Sequence, residues 1–104
     1  MPRFRIHHRL ADEFEEVLAW YAGLSPLAAE SFVICFEIAL DKVAHRPTAQ
    51  APWRPPFRRA RLTRFPYLLI FHTDRRVTSV LALVHQRRES KQTFAALVRR
   101  KNEF

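Results

Sequence analysis

Residues 64–88 read RFPYLLIFHTDRRVTSVLALVHQRR. Two apolar runs, 65–73 and 76–85, are separated by Asp74 and Arg75, a break short enough to make them antiparallel neighbours. Apolar residues occupy both alternating sets of positions, so the sheet centre should be covered on both faces, at least in part on the second. A strand pair that only filled a core would not need Arg64 at its start and His85, Arg87 and Arg88 at its end. Those charges imply a partner, a substrate, or both. Just upstream, RRARLTR at 58–64 reads as a third strand, which makes the unit a three-stranded antiparallel meander.

Working outward, the preceding segment HRPTAQAPWRPPF carries Pro47, Pro52, Pro55 and Pro56, which bar it from helix or central strand and make it a stiff connector. Before it lie two helical patterns. Leu10, Phe14, Val17, Leu18 and Tyr21 are spaced for one face of a helix, with Asp12, Glu13, Glu15 and Glu16 expected in the first turn and Gly23 as the stop. Ser25 followed by Pro26 then signals a second helix, over about 26–44, with a core stripe of Ala28, Phe32, Cys35, Phe36, Ala39 and Val43. Ile34 and Ile38 flank its acidic side, which leaves apolar surface for the core or for another chain. Residues 3–8, RFRIHH, alternate like a short strand; on a strand His7 and His8 would face apart and make a poor metal pair. The tail ESKQTFAALVRRKNEF suits a last helix with Phe94, Leu97 and Val98 on its apolar side. The fold class is α+β.

With 104 residues the chain should be one domain, 1–104. Cys35 is the only cysteine, which argues against a disulfide framework and for a reducing compartment, and its place in the core stripe suits a structural thiol. No stretch has the length of a membrane span and the start lacks a signal-peptide core, so a cytoplasmic protein is expected. No metal or cofactor is called for by the residue pattern. Net charge is +8, carried by fifteen arginines and three lysines. It is polarised: residues 1–41 are net −4 and residues 42–104 net +12. A basic surface of this strength attracts nucleic acid or an acidic protein segment, although a GC-rich genome also enriches arginine.

Element order and three motifs together resemble the RelE/ParE superfamily of bacterial type II toxin–antitoxin toxins. The motifs are the helix junction Tyr21, Ser25, Pro26 and Ala29; RFPY at 64–67; and His85, Arg87 and Arg88 closing the last strand. The resemblance spans nearly the whole chain and is nearer to the ParE branch. It implies a RelE-like fold: an N-terminal strand, a two-helix hairpin, a three-stranded antiparallel meander and a C-terminal helix. It also implies a toxin that arrests growth, of the kind found in plasmid stabilisation, held in a hetero-oligomer by a cognate antitoxin. ParE-type members inhibit DNA gyrase; RelE-type members cleave mRNA on the ribosome.

On the first reading Arg64, Tyr67, Arg87 and Arg88 would bind the target, and Ile34, Ile38 and Trp53 the antitoxin, although Trp53 would equally serve to pin the connector to the core. On the second, Arg61, Arg64, His85 and Arg87 would converge on a phosphate as catalytic candidates, since metal-free RNA cleavage needs an acid, a base and cations together. The C-terminal region departs from the ribonuclease pattern: Phe94 and Phe104 are its only aromatics, and neither transfers a proton. That favours gyrase over mRNA as the target. A degenerate member retaining only antitoxin binding or self-association is a third reading.

Overall fold

The computed structural model describes residues 3–88 and 91–104. Strand β1 (Arg3–Ile6) leads into helix α1 (His8–Leu24) and helix α2 (Pro26–His45). A 3-10 turn at Pro47–Ala49 and a two-residue strand β2 (Ala51–Pro52) follow. The chain is completed by β3 (Arg58–Arg61), β4 (Tyr67–Thr73), β5 (Val77–His85) and α3 (Lys91–Lys101). The expected meander is β3–β4–β5, joined by antiparallel ladders. It sits within a five-stranded sheet of order β1-β5-β4-β3-β2.

Two features extend the expected plan. The connector contributes β2, which pairs with β3, and β1 lies parallel to β5, Arg3 opposite Val77 through Ile6 opposite Val80. Parallel neighbours require a long crossover, and the α1–α2 hairpin supplies it. The N-terminal strand is shorter than its alternating pattern. It ends at Ile6 because His7 turns to cap α1, its Nδ1 accepting from the Arg9 N–H at 3.1 Å. The rings of His7 and His8 therefore do not face apart but stack, 4.2 Å between centroids.

Helix α1 begins two residues before the expected first turn, so Asp12 through Glu16 lie beyond it. Gly23 does not stop the helix. The chain stays helical to Leu24, and Ser25, in extended conformation, ends α1 and starts α2. Its hydroxyl accepts from the Ala28 N–H at 2.9 Å, with Pro26 in the first turn where no amide partner is lost.

The sheet is covered on both faces. Under the helix hairpin, Leu10, Phe32, Ala39 and Val43 pack on Leu69, Phe71, Val80 and Leu83. On the other face Leu97 of α3, with Phe57, closes over Leu68, Ile70, Leu81, Ala82 and Val84. Filled apolar positions on both sides of β4 and β5 are thus explained by two separate cores. A bulge between Ile70 and Phe71 re-aims β5 near Leu81.

His7 is buried at 1% exposure, and its Nε2 has no hydrogen-bond partner among the described residues. Burial is the main cause that holds its pKa below the ordinary 6.5; His8, Arg100 and Arg9 add to this and Glu103 opposes it. With a folded-state pKa below the unfolded value, the unfolded chain takes up this proton more readily. The stability tied to neutral His7 is present above pH 6.5 and is lost as pH falls below it toward the folded-state pKa. Urea midpoints should fall more steeply between pH 7.5 and 5.5 for the parent than for His7→Asn, which keeps a capping oxygen and does not titrate. Equal slopes would remove His7 from the account.

Candidate functional site

Pairing of β1 with β5 ends at Val80, whose carbonyl accepts from the His7 N–H at 2.8 Å. Beyond that point no strand among the described residues lies beside the edge of β5, and side chains take over. Glu13 Oε1 accepts from the Leu83 N–H at 3.2 Å, and Arg100 Nη1 donates to the Leu81 carbonyl at 3.0 Å. The two side chains also bind each other, Arg100 Nη1 to Glu13 Oε1 at 3.1 Å and Nη2 to Oε2 at 3.0 Å. This forked pair ties α1 to α3 across the strand edge. Arg100 belongs to the basic end of the last helix in the sequence, and Glu13 to the acidic run of α1; no local pattern joins residues so far apart.

Between α1, the end of β5 and α3 opens a cleft of about 370 Å³. Tyr67, His85 and Arg88 line it, together with Glu16, Trp20 and Thr93. Trp20 is 64% exposed and was not distinguished by the helical pattern, because a tryptophan next to a core stripe reads as part of the core. Register places Tyr67 directly opposite His85, and their rings meet edge to face at 5.2 Å. The Tyr21 hydroxyl is raised above the ordinary tyrosine pKa by burial first, then by the charge of Tyr67 and a side-chain hydrogen bond with it. Tyr67 is therefore half-buried and anchored on the hairpin side, against Tyr21, Phe32 and Phe65.

His85 Nδ1 accepts from the Arg87 N–H at 3.1 Å. That bond places the proton of the neutral ring on Nε2, so in this form the ring is a donor. Arg87 and Arg88 are exposed, and the Arg88 N–H donates to the His85 carbonyl at 2.9 Å, closing a turn that holds both side chains at the strand end. The Arg88 carbonyl in turn accepts from the Thr93 hydroxyl at 2.8 Å, which fixes the entry to α3. Arg64 is exposed in the turn before β4 with φ of 69°, a left-handed conformation that strains a residue with a β-carbon. Arg64→Gly should raise stability by up to about 1 kcal/mol while removing a guanidinium from the rim. A chemical-denaturation series that shows lower stability would contradict the strain.

The structure gathers Tyr67, His85 and Arg88 in the cleft, and brings Arg64 and Arg87 to the same end of the sheet. Arg61 is not brought to them. It pairs with Leu68, which pairs with Val84, so it shares the α3 face, whereas Tyr67 and His85 occupy the hairpin face. The four arginine and histidine candidates for phosphate chemistry therefore do not converge in one constellation. Ile34 and Ile38 are exposed, at 56% and 49%, on the outer side of α2, where Leu27 extends the stripe. Ile34 also lines a shallow groove with Leu18 and Val33 between the two helices. Trp53 lies elsewhere: it is half-buried on the opposite face of the sheet, beside Phe57, as expected of a residue that pins the connector. Among the described residues no three His, Cys, Asp or Glu side chains come together as metal ligands. Among the described residues no helix is long and apolar enough to cross a membrane.

No family model matches the chain, and no curated protein matches it. Among solved structures, a chain described as "Chromosomal ParDE TA system from P. aeruginosa" superposes with a TM-score of 0.71. The match covers 82% of this chain and 96% of that one at 18% identity. At that identity the likeness is one of fold, and the fold is the RelE/ParE type that the motifs led us to expect.

Proposed function

We propose that this RelE/ParE-type fold serves as the toxin of a type II toxin–antitoxin pair. In this reading it acts as ParE-type toxins do, by binding and inhibiting DNA gyrase, and is neutralised by a cognate antitoxin. The observation that carries the proposal is the combination of the fold shared with a chain of a ParDE system and the rim of exposed arginines at the end of β5. No ion pair ties Arg64, Arg87 or Arg88 to another described residue.

The state of His85 supports binding over cleavage. A base for a ribose hydroxyl needs a free lone pair, and the one on His85 is engaged by the Arg87 N–H. Arg61, which would add charge at a scissile phosphate, starts from the other face. For the antitoxin, the stripe of Leu27, Ile34 and Ile38 supplies apolar anchors at helical spacing, and the basic rim would attract an acidic segment.

Induction of the protein in cells, with DNA-damage response and mRNA integrity read in parallel, tests the target. DNA damage with intact mRNA is expected. Codon-boundary mRNA cuts without DNA damage would replace gyrase by the ribosome, and absence of growth arrest would leave a degenerate member. Affinity purification from a cell carrying the native operon should yield one small co-encoded protein; its absence would remove the antitoxin.

A further inference from the structure

The end of the sheet opposite the rim carries a second concentration of cations. Strand β5 spans nine residues, which separates the two ends by about 25 Å. Register aligns Arg5, Ser79 and His72 in one row across β1, β5 and β4, and the Arg5 Nε–H donates to the Ser79 hydroxyl at 2.7 Å. The end of the chain folds over the same row. The Arg5 guanidinium lies 3.7 Å from the centre of the Phe104 ring, and Phe104 keeps half its surface exposed. One step outward, Arg3 N–H donates to the Arg76 carbonyl at 2.8 Å, which joins β1 to the β4–β5 turn.

Among the described residues no carboxylate forms an ion pair with these cations, although Asp74 stands among them. Asp74 Oδ1 accepts from the backbone N–H groups of Arg76 at 2.7 Å and Val77 at 2.9 Å, so it shapes the turn. Those two bonds are the chief cause that holds its pKa below the ordinary carboxylate value. Arg3, Arg75 and Arg76 are exposed, and none has an ion pair with another described residue. Burial is the main cause that lowers the pKa of His72; nearby Lys101 and Arg5 add to it and Asp74 opposes them.

We propose that this end of the sheet, formed by Arg3, Arg5, Arg75, Arg76 and Lys101, binds the phosphate backbone of a single-stranded nucleic acid. Arg3 and Arg5, two residues apart on one side of β1, and Arg75 and Arg76 in the adjoining β4–β5 turn present forked donors that match phosphate oxygens. Phe104, half exposed with the Arg5 guanidinium over its ring, stands beside the cations and offers ring surface on which a base stacks, which a duplex would not supply. The assignment is independent of what the rim at Arg87 and Arg88 binds.

Binding of the purified full-length chain to a fluorescent 20-nucleotide single strand, measured between 50 and 200 mM salt, tests it. Each phosphate contact on a single strand contributes about 0.7 to the slope of log affinity against log salt, so Arg75→Ala with Arg76→Ala should flatten the slope by about 1.4. Affinity at 50 mM salt should fall at least about fivefold. A charge-matched control, Lys42→Ala with Arg46→Ala at the end of α2, should leave the slope in place. Equal losses in the two variants would mean that net charge alone attracts the strand, and would overturn the site, as would no loss in the first. Tighter binding to the duplex form would overturn the single-strand assignment. Displacement by polyglutamate at equal charge would reassign the surface to an acidic polypeptide.

Discussion

Replacing both Arg87 and Arg88 by alanine is expected to abolish growth arrest on induction while leaving the urea midpoint close to that of the parent. Both side chains are exposed, and the bonds that shape the turn use the backbone N–H of each residue, which alanine keeps. The change is therefore confined to charge at the mouth of the cleft, and substitutions of this kind alter stability by no more than about 0.5 kcal/mol. Lysine at the same positions should restore little, because an ammonium cannot reproduce a forked contact. A fully toxic double-alanine variant would remove the rim from the target site.

The largest loss of stability is expected at Phe32. It is fully buried, with its ring 5.5 Å from those of Tyr21 and Phe65 and 5.6 Å from Phe14. It thus joins α1, α2 and the turn that carries Arg64. Phe32→Ala removes that contact and leaves a cavity, costing about 3–5 kcal/mol. In a domain of this size that corresponds to a fall in Tm of more than about 12 °C, read by thermal denaturation. A shift below about 4 °C would show that the hairpin repacks and that the site does not depend on this cluster.

The two effects separate what holds the cleft from what the cleft presents, and the sequence reveals them unequally. Apolar periodicity locates the helices and the meander, because Phe32, Leu69 and Phe71 leave a pattern wherever a face is buried. The Ser25–Pro26 junction is equally legible, since a side-chain cap and a first-turn proline act within four residues. Parallel pairing of β1 with β5 is not, because it joins residues more than 70 positions apart. The Glu13–Arg100 fork and the position of Trp20 depend on that pairing. Facing is a further limit: Arg61 and His85 are both polar residues at strand ends, and only the ladder assigns them to opposite sides of the sheet. Strain at Arg64 has no sequence signal, as an arginine in a turn is unremarkable until its φ is known.

That geometry makes the end of β5 a basic surface supported by two cores. Negative supercoiling of relaxed plasmid by purified gyrase, in the presence of stoichiometric amounts of this protein, tests the central claim most directly. Supercoiling should be blocked and linear DNA should accumulate with the parent protein, and neither should occur with the Arg87 and Arg88 double variant. Undiminished supercoiling by gyrase under conditions where the same preparation cleaves ribosome-bound mRNA would contradict the account.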